Sequence, residues 1–70
     1  MSEDIAVSGG IRLGQFLKLG GVVDGGGDVK GLLAAGLVRV NEQVETRRGR
    51  QLAAGDVVQV AGRSLRITEA

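Results

Sequence analysis

The sequence predicts an α+β domain: two short N-terminal helices packed on a small antiparallel β-sheet. Three observations carry this expectation. Up to Gly36, apolar residues recur at helical spacing. Beyond Gly36 the period switches to two, in short β-branched runs separated by turn residues. The length of 70 residues bounds the core, because a chain without cysteine or histidine has neither disulfides nor a zinc site to reinforce it.

Residues 1–10 are polar and end in Ser8-Gly9-Gly10, so they read as a lead-in segment. Within it, Ile5-Ala6-Val7 has the composition of a short edge strand. Residues 11–70 then form the single domain. Ile11 to Leu19 reads as a helix. Leu13, Phe16 and Leu17 make its apolar stripe, Arg12, Gln15 and Lys18 take the other side, and Gly20-Gly21 stops it. Asp24-Gly25-Gly26-Gly27-Asp28 follows, and each glycine costs about 1 kcal/mol in a helix relative to alanine. Val29, Leu32 and Leu33 form a second stripe, with Asp24 or Asp28 as N-cap and Gly36 as stop. Leu37 to Asn41 alternates as a strand, Asn41-Glu42-Gln43 turns, and Val44-Glu45-Thr46 returns. After the Arg47-Arg48-Gly49-Arg50 loop come a turn at Ala54-Gly55-Asp56 and a strand over Val57–Val60. Ala61-Gly62-Arg63 turns again, and Ser64 to Thr68 is the last strand.

The net charge of +1 hides an uneven distribution. Residues 1–36 carry three basic and four acidic side chains, whereas residues 37–66 carry six arginines and three acids. Arginine suits planar, bidentate contact with phosphate. A strand pair carrying a dense cationic loop, with no catalytic groups nearby, points to a polyanion-binding surface.

Motifs in the same regions resemble the S-four RNA-binding domain, named after a small-subunit ribosomal protein. Its pattern starts a helix with Arg-Leu and reaches Leu and Gly at its end, here Arg12-Leu13, Leu17 and Gly20. It continues through Gly36-Leu37-Val38-Arg39-Val40-Asn41 and closes with Gly55-Asp56-Val57-Val58. Phe16-Leu17-Lys18-Leu19 and Val44-Glu45-Thr46-Arg47 are closer to the stand-alone, YbcJ-like small bacterial members. The resemblance implies the α-L RNA-binding motif and a non-catalytic role on ribosomal or transfer RNA. Where many members have Ser-Arg-Ser at the start of the second helix, with the arginine facing RNA, this chain has Gly25-Gly26-Gly27. Lys30 matches a basic position of that helix.

The candidate RNA-binding residues are Arg12, Lys18, Lys30, Arg47, Arg48 and Arg50. Arg47, Arg48 and Arg50 form the centre, with Gly49 allowing close phosphate approach. Arg12 and Lys18, six residues apart, point about 120° away from each other on a regular helix. Arg12 is preferred because exposed amides at a helix start favour anions, and Lys18 belongs to the rim. A P-loop would need Ser or Thr after the lysine, but Gly31 follows Lys30, so a nucleotide site is rejected. Backbone contact by Lys30, assisted by the amides of Gly26 and Gly27, is the better reading. Arg39, Arg63 and Arg66 read as surface charges.

Phe16 is the sole aromatic and lies on an apolar stripe, so stacking on exposed aromatic rings is not the recognition mode. Contacts go to phosphate and 2′-hydroxyl, with weak sequence specificity. No catalytic site, metal or cofactor is expected, since there is no His, Cys or Tyr to act as base or nucleophile. The C-terminal Ile67-Thr68-Glu69-Ala70 differs from the Gly-Gly end of ubiquitin-like sulfur carriers. The expected partners are structured RNA and, as a second class, ribosomal or RNA-processing proteins. The acidic start, the absence of cysteine and the lack of a long apolar run predict a cytoplasmic monomer without membrane contact. The alternative is a protein-interaction adaptor, for example in ribosome assembly, whose arginines only aid solubility.

Overall fold

The computed structural model describes residues 2–23 and 29–70. In chain order it contains β1 (Ser2–Val7), β2 (Ile11–Arg12), α1 (Leu13–Leu19), α2 (Val29–Ala34), β3 (Val38–Val40), β4 (Gln43–Val44), β5 (Gln51–Leu52), β6 (Val57–Val60) and β7 (Arg63–Glu69). Five strands form one sheet in the order β1-β7-β6-β3-β4, and β2 pairs with β5 in a separate antiparallel ribbon.

This corrects the expected fold class. The described residues are mostly β-sheet, the sheet is mixed rather than antiparallel, and the helices lie between strands instead of preceding them all. Two causes account for the difference. Residues 2–7 form a full six-residue strand that runs parallel to β7, with Ile5 beside Ile67 and Val7 beside Glu69. Its alternation was hard to see because Glu3 and Asp4 occupy its first half. Both acids are matched by β7: Glu3 takes two hydrogen bonds of 2.8 Å from Arg63, and Asp4 takes two from Arg66 at 3.1 and 3.2 Å. Arg63 and Arg66 are therefore edge-strand anchors. The second cause is at Ile11–Arg12, which leaves the expected helix to pair with Gln51–Leu52.

Alternation fixes the faces of the sheet. Val38, Val40, Val58, Val60, Leu65 and Ile67 point inward, while Arg39, Gln59 and Arg66 lie on the opposite face. The inward face packs against Leu13, Phe16 and Leu17 of α1 and Val29 and Leu33 of α2 in one core. Both helices end in the same way. Val22 N–H bonds Leu17 C=O and Gly21 N–H bonds Lys18 C=O, with Gly21 at φ +72°. Leu37, Leu32, Gly36 and Leu33 repeat the pattern, with Gly36 also at φ +72°. These are Schellman caps, and they place the helix stops where the glycines predicted them. The expected capping by Asp24 or Asp28 and the Gly25-Gly26-Gly27 turn lie outside the described residues.

The two motifs at Asn41 and Gly55-Asp56 are parts of one joint. Asn41 donates from Nδ2 to Asp56 Oδ1 (3.1 Å) and accepts from Val57 N–H at Oδ1 (3.0 Å). Asp56 Oδ2 accepts from Ala53 N–H at 2.9 Å. The joint ties the β3–β4 turn to the start of β6, so these residues serve the sheet.

Both tight hairpins use two successive left-handed residues: Asn41 (φ 51°) with Glu42 (φ 71°), and Ala61 (φ 53°) with Gly62 (φ 76°). This is the turn geometry matched to strand twist, and Asn-Gly is its preferred pair. Glu42 and Ala61 are held there against their preference. Glu42→Gly and Ala61→Asn should each stabilise the protein by about 0.5–1 kcal/mol, read as an upward shift of the urea midpoint with unchanged slope.

Candidate nucleic-acid interface

The Arg47–Arg50 loop is held by two sets of contacts. The first is internal. Glu45 is 7% exposed, and its carboxylate accepts from the backbone N–H of Thr46 (2.9 Å) and Arg47 (3.0 Å). It also accepts from Arg47 Nε and Arg50 Nη1, both at 3.3 Å. Burying a carboxylate is tolerable only with such a full set of donors. The Arg47 amide, then the Arg47 guanidinium, hold the Glu45 carboxyl down to about 2, against the opposing effect of burial.

The second set joins the loop to the start of α1. Leu13 N–H donates to Arg50 C=O and Gly14 N–H to Arg48 C=O, both at 2.9 Å. Arg12 Nη1 donates to Gly49 C=O at 2.9 Å. The first amides of α1, expected to be open to anions, are thus occupied by loop carbonyls. Gly14 lies against Arg48: a Cβ there would stand 3.4 Å from Arg48 Cβ and 3.5 Å from Arg48 O, in ordinary van der Waals contact. Gly49 contributes a carbonyl rather than a left-handed turn, since it is not among the positive-φ glycines.

This clasp sorts the candidate residues. Arg12, Lys18, Lys30 and Arg48 line one open groove between α1, α2 and the loop, together with Gln15. The helical-wheel separation of Arg12 and Lys18 does not apply, because Arg12 is the extended cap residue (φ −91°, ψ 152°) and lies before the first helical turn. Arg47 and Arg50 face a second depression, shared with Arg12 and Gln51. Their two charges are partly balanced by Glu45, with which both form ion pairs. The expected centre on three loop arginines is therefore divided, and Arg48 alone of the three joins the helix cations. No carboxylate lines the first groove among the described residues. Gly26 and Gly27, expected to assist Lys30, lie outside the described residues.

Sequence reasoning missed Glu45 and Gly14. Glu45 sits in a strand-like run where an exposed acid is unremarkable. Its one visible signal was the position immediately before a cluster of arginines. Gly14, a glycine inside an otherwise good helix, was the sign of a close backbone approach.

The sequence is similar to those of known proteins. A family model described as S4 domain matches residues 5–68. A Bacillus subtilis (strain 168) protein described as "Probable ribosome maturation protein RlbA" is 50% identical over 52 residues, covering 74% of this chain and 73% of that protein.

The Glu45 contacts set an acid-side pH dependence. The unfolded carboxyl titrates near its ordinary value of 4.5 and the folded one near 2. The stabilisation is complete above about pH 4.5 and is lost as pH falls toward 2, because the unfolded chain takes up the proton first. Glu45→Gln should lower stability at pH 7 by roughly 1.5–3 kcal/mol and flatten the decline between those pH values, as read by urea unfolding at each pH. An unchanged acid-side slope would contradict this role.

Proposed function

The chain belongs to the S4-domain family, and from that premise we propose that it is a non-catalytic RNA-binding module. Its ligand is structured ribosomal or transfer RNA, held mainly by the phosphate backbone. The observation that carries this reading is the groove in which Arg12, Lys18, Lys30 and Arg48 converge without an opposing acid among the described residues. Lys18, Lys30 and Arg48 have no side-chain hydrogen bond or ion pair to another described residue, so their donors are available to phosphate oxygens. Arg12 spends one donor on Gly49 and retains the others. Arg47 and Arg50 extend the positive surface around the loop and take flanking phosphates.

Catalysis has no support in the residue set, which lacks His, Cys and Tyr. The name of the Bacillus relative favours ribosome maturation as the process and the cytoplasm as the compartment. No helix among the described residues is long and apolar enough to cross a membrane. We take the module to act as a monomer.

A second reading, a protein adaptor in ribosome assembly, draws on the opposite side of the sheet. There Leu37 and Val44 are 56% and 53% exposed, and Arg39 pairs across the strands with Val44. Partner proteins on that face are compatible with RNA in the groove.

The test is binding of a labelled RNA stem-loop across a salt series, followed by fluorescence anisotropy. The wild type should give a log–log slope of roughly −2 to −5, that of a few phosphate contacts. Lys30→Ala and Arg48→Ala should each flatten it by about 1, while Arg39→Ala leaves it unchanged. Slopes indifferent to Lys30 and Arg48 would exclude the groove as the RNA site.

A further inference from the structure

Lys30 and Arg48 border two depressions, of which the second is the more apolar. On the side away from Arg12 and Lys18, the same two cations meet Leu33, Ala34 and Thr46 in a second open pocket. Its floor is apolar, from Leu33 and Ala34 of α2. Its rim carries two cations and one hydroxyl. A site for phosphate alone has no use for an apolar floor, since a hydrated anion gains nothing from hydrocarbon. A ligand that joins an anion to a flat, largely apolar body uses every part of it. Within an RNA, that description fits a nucleotide whose base has left the stack.

We infer that this pocket receives one unpaired base of the RNA whose backbone lies in the neighbouring groove, so that the protein prefers a bulged stem to a fully paired one. The inference rests on the RNA-binding reading above. The phosphate of the extruded nucleotide sits at the Lys30–Arg48 boundary, which belongs to both depressions. The base turns across that boundary and covers the exposed Ala34, beside the buried Leu33. The Arg48 guanidinium is planar and has no acid partner among the described residues, so it is free to stack on the base while Lys30 holds the charge. The Thr46 side chain is exposed, and its hydroxyl both donates and accepts, so it meets base edges of either kind. Selection is thus for an unstacked base, with little preference for which base.

Three RNA stem-loops of the same length separate the possibilities: fully paired, with one bulged nucleotide, and with an abasic bulge at the same place. Anisotropy at fixed salt should give at least about fivefold tighter binding of the bulged stem than of either other stem, the effect of one stacked base. Ala34→Gln fills the pocket at the exposed end of α2 without changing charge. It should abolish the preference while leaving paired-stem affinity within about twofold. Arg48→Lys keeps the charge but loses the planar face, and should reduce the preference while retaining the salt slope. Equal binding of all three stems, or equal binding of the bulged and abasic stems, overturns the pocket and leaves the groove reading intact. Absence of binding to every stem at low salt overturns both. A 2-aminopurine at the bulge, whose emission should change on binding to the wild type and not to Ala34→Gln, reports the base directly.

Discussion

Three arginines in four positions repel one another, and an exposed loop of that composition would spread into solvent. The buried Glu45 carboxylate prevents this by taking donors from two backbone amides and two of the guanidinium groups. Each bond to an ionised acceptor contributes more than a neutral one. Removal of the carboxylate would leave the two part-buried amide bonds unmade, while the exposed Arg47 guanidinium would turn to water. With the loop folded around Glu45, the carbonyls of Arg48, Gly49 and Arg50 turn toward the first turn of α1 and meet Gly14 N–H, the Arg12 guanidinium and Leu13 N–H. One internal ion cluster thus orients a loop, and the loop in turn caps a helix.

The cationic groove proposed to bind RNA is a consequence of that clasp. Arg48 is drawn against α1 by the bond from Gly14 N–H to its carbonyl. There it joins Lys18 from the same helix and Lys30 from α2, whose position is set by Val29 and Leu33 in the core. Arg47 and Arg50 remain beside Glu45, where their charge is partly spent. The sheet supplies a rigid base for both helices, and its N-terminal edge is secured by the Glu3–Arg63 and Asp4–Arg66 pairs. Those pairs are largely exposed and contribute little energy singly. Their positions on β1 and β7 nevertheless favour the observed register. Apart from Arg39 on the outer sheet face, cations that look equivalent in the sequence thus divide into groove-lining residues, loop-stabilising residues and strand anchors.

The parts legible in the sequence were those governed by local rules. Helix stops at Gly21 and Gly36 follow from the left-handed residue a Schellman cap requires, and the short strands of β3, β6 and β7 follow from alternation. What was not legible depended on residues far apart in the chain. Parallel pairing of β1 with β7 spans nearly the whole sequence, and the acids of β1 obscured its period until their arginine partners were seen. Ile11 and Arg12 directly precede the helical stripe of Leu13, Phe16 and Leu17 and read as part of the same helix, yet the pairing with Gln51–Leu52 overrides it. The six candidate cations were recognisable by type. Their division around Lys30 and Arg48 was not, because it is set by the carboxylate of Glu45 and by the hydrogen bonds that join the loop to α1. Asn41 and Asp56 bound each other across the β3–β4 turn and the β6 entry, a joint that neither local pattern discloses.

RNA bound as proposed lies in the groove built by this clasp. The most direct measurement is a titration of isotope-labelled protein with an unlabelled RNA stem-loop, followed by amide and side-chain chemical shifts. Perturbations should concentrate at Arg12 to Lys18, at Lys30 to Ala34 and at Thr46 to Arg50, with the outer sheet face of Arg39, Val44 and Gln59 undisturbed. Shifts confined to that outer face, with the loop and helix signals unmoved, would contradict it.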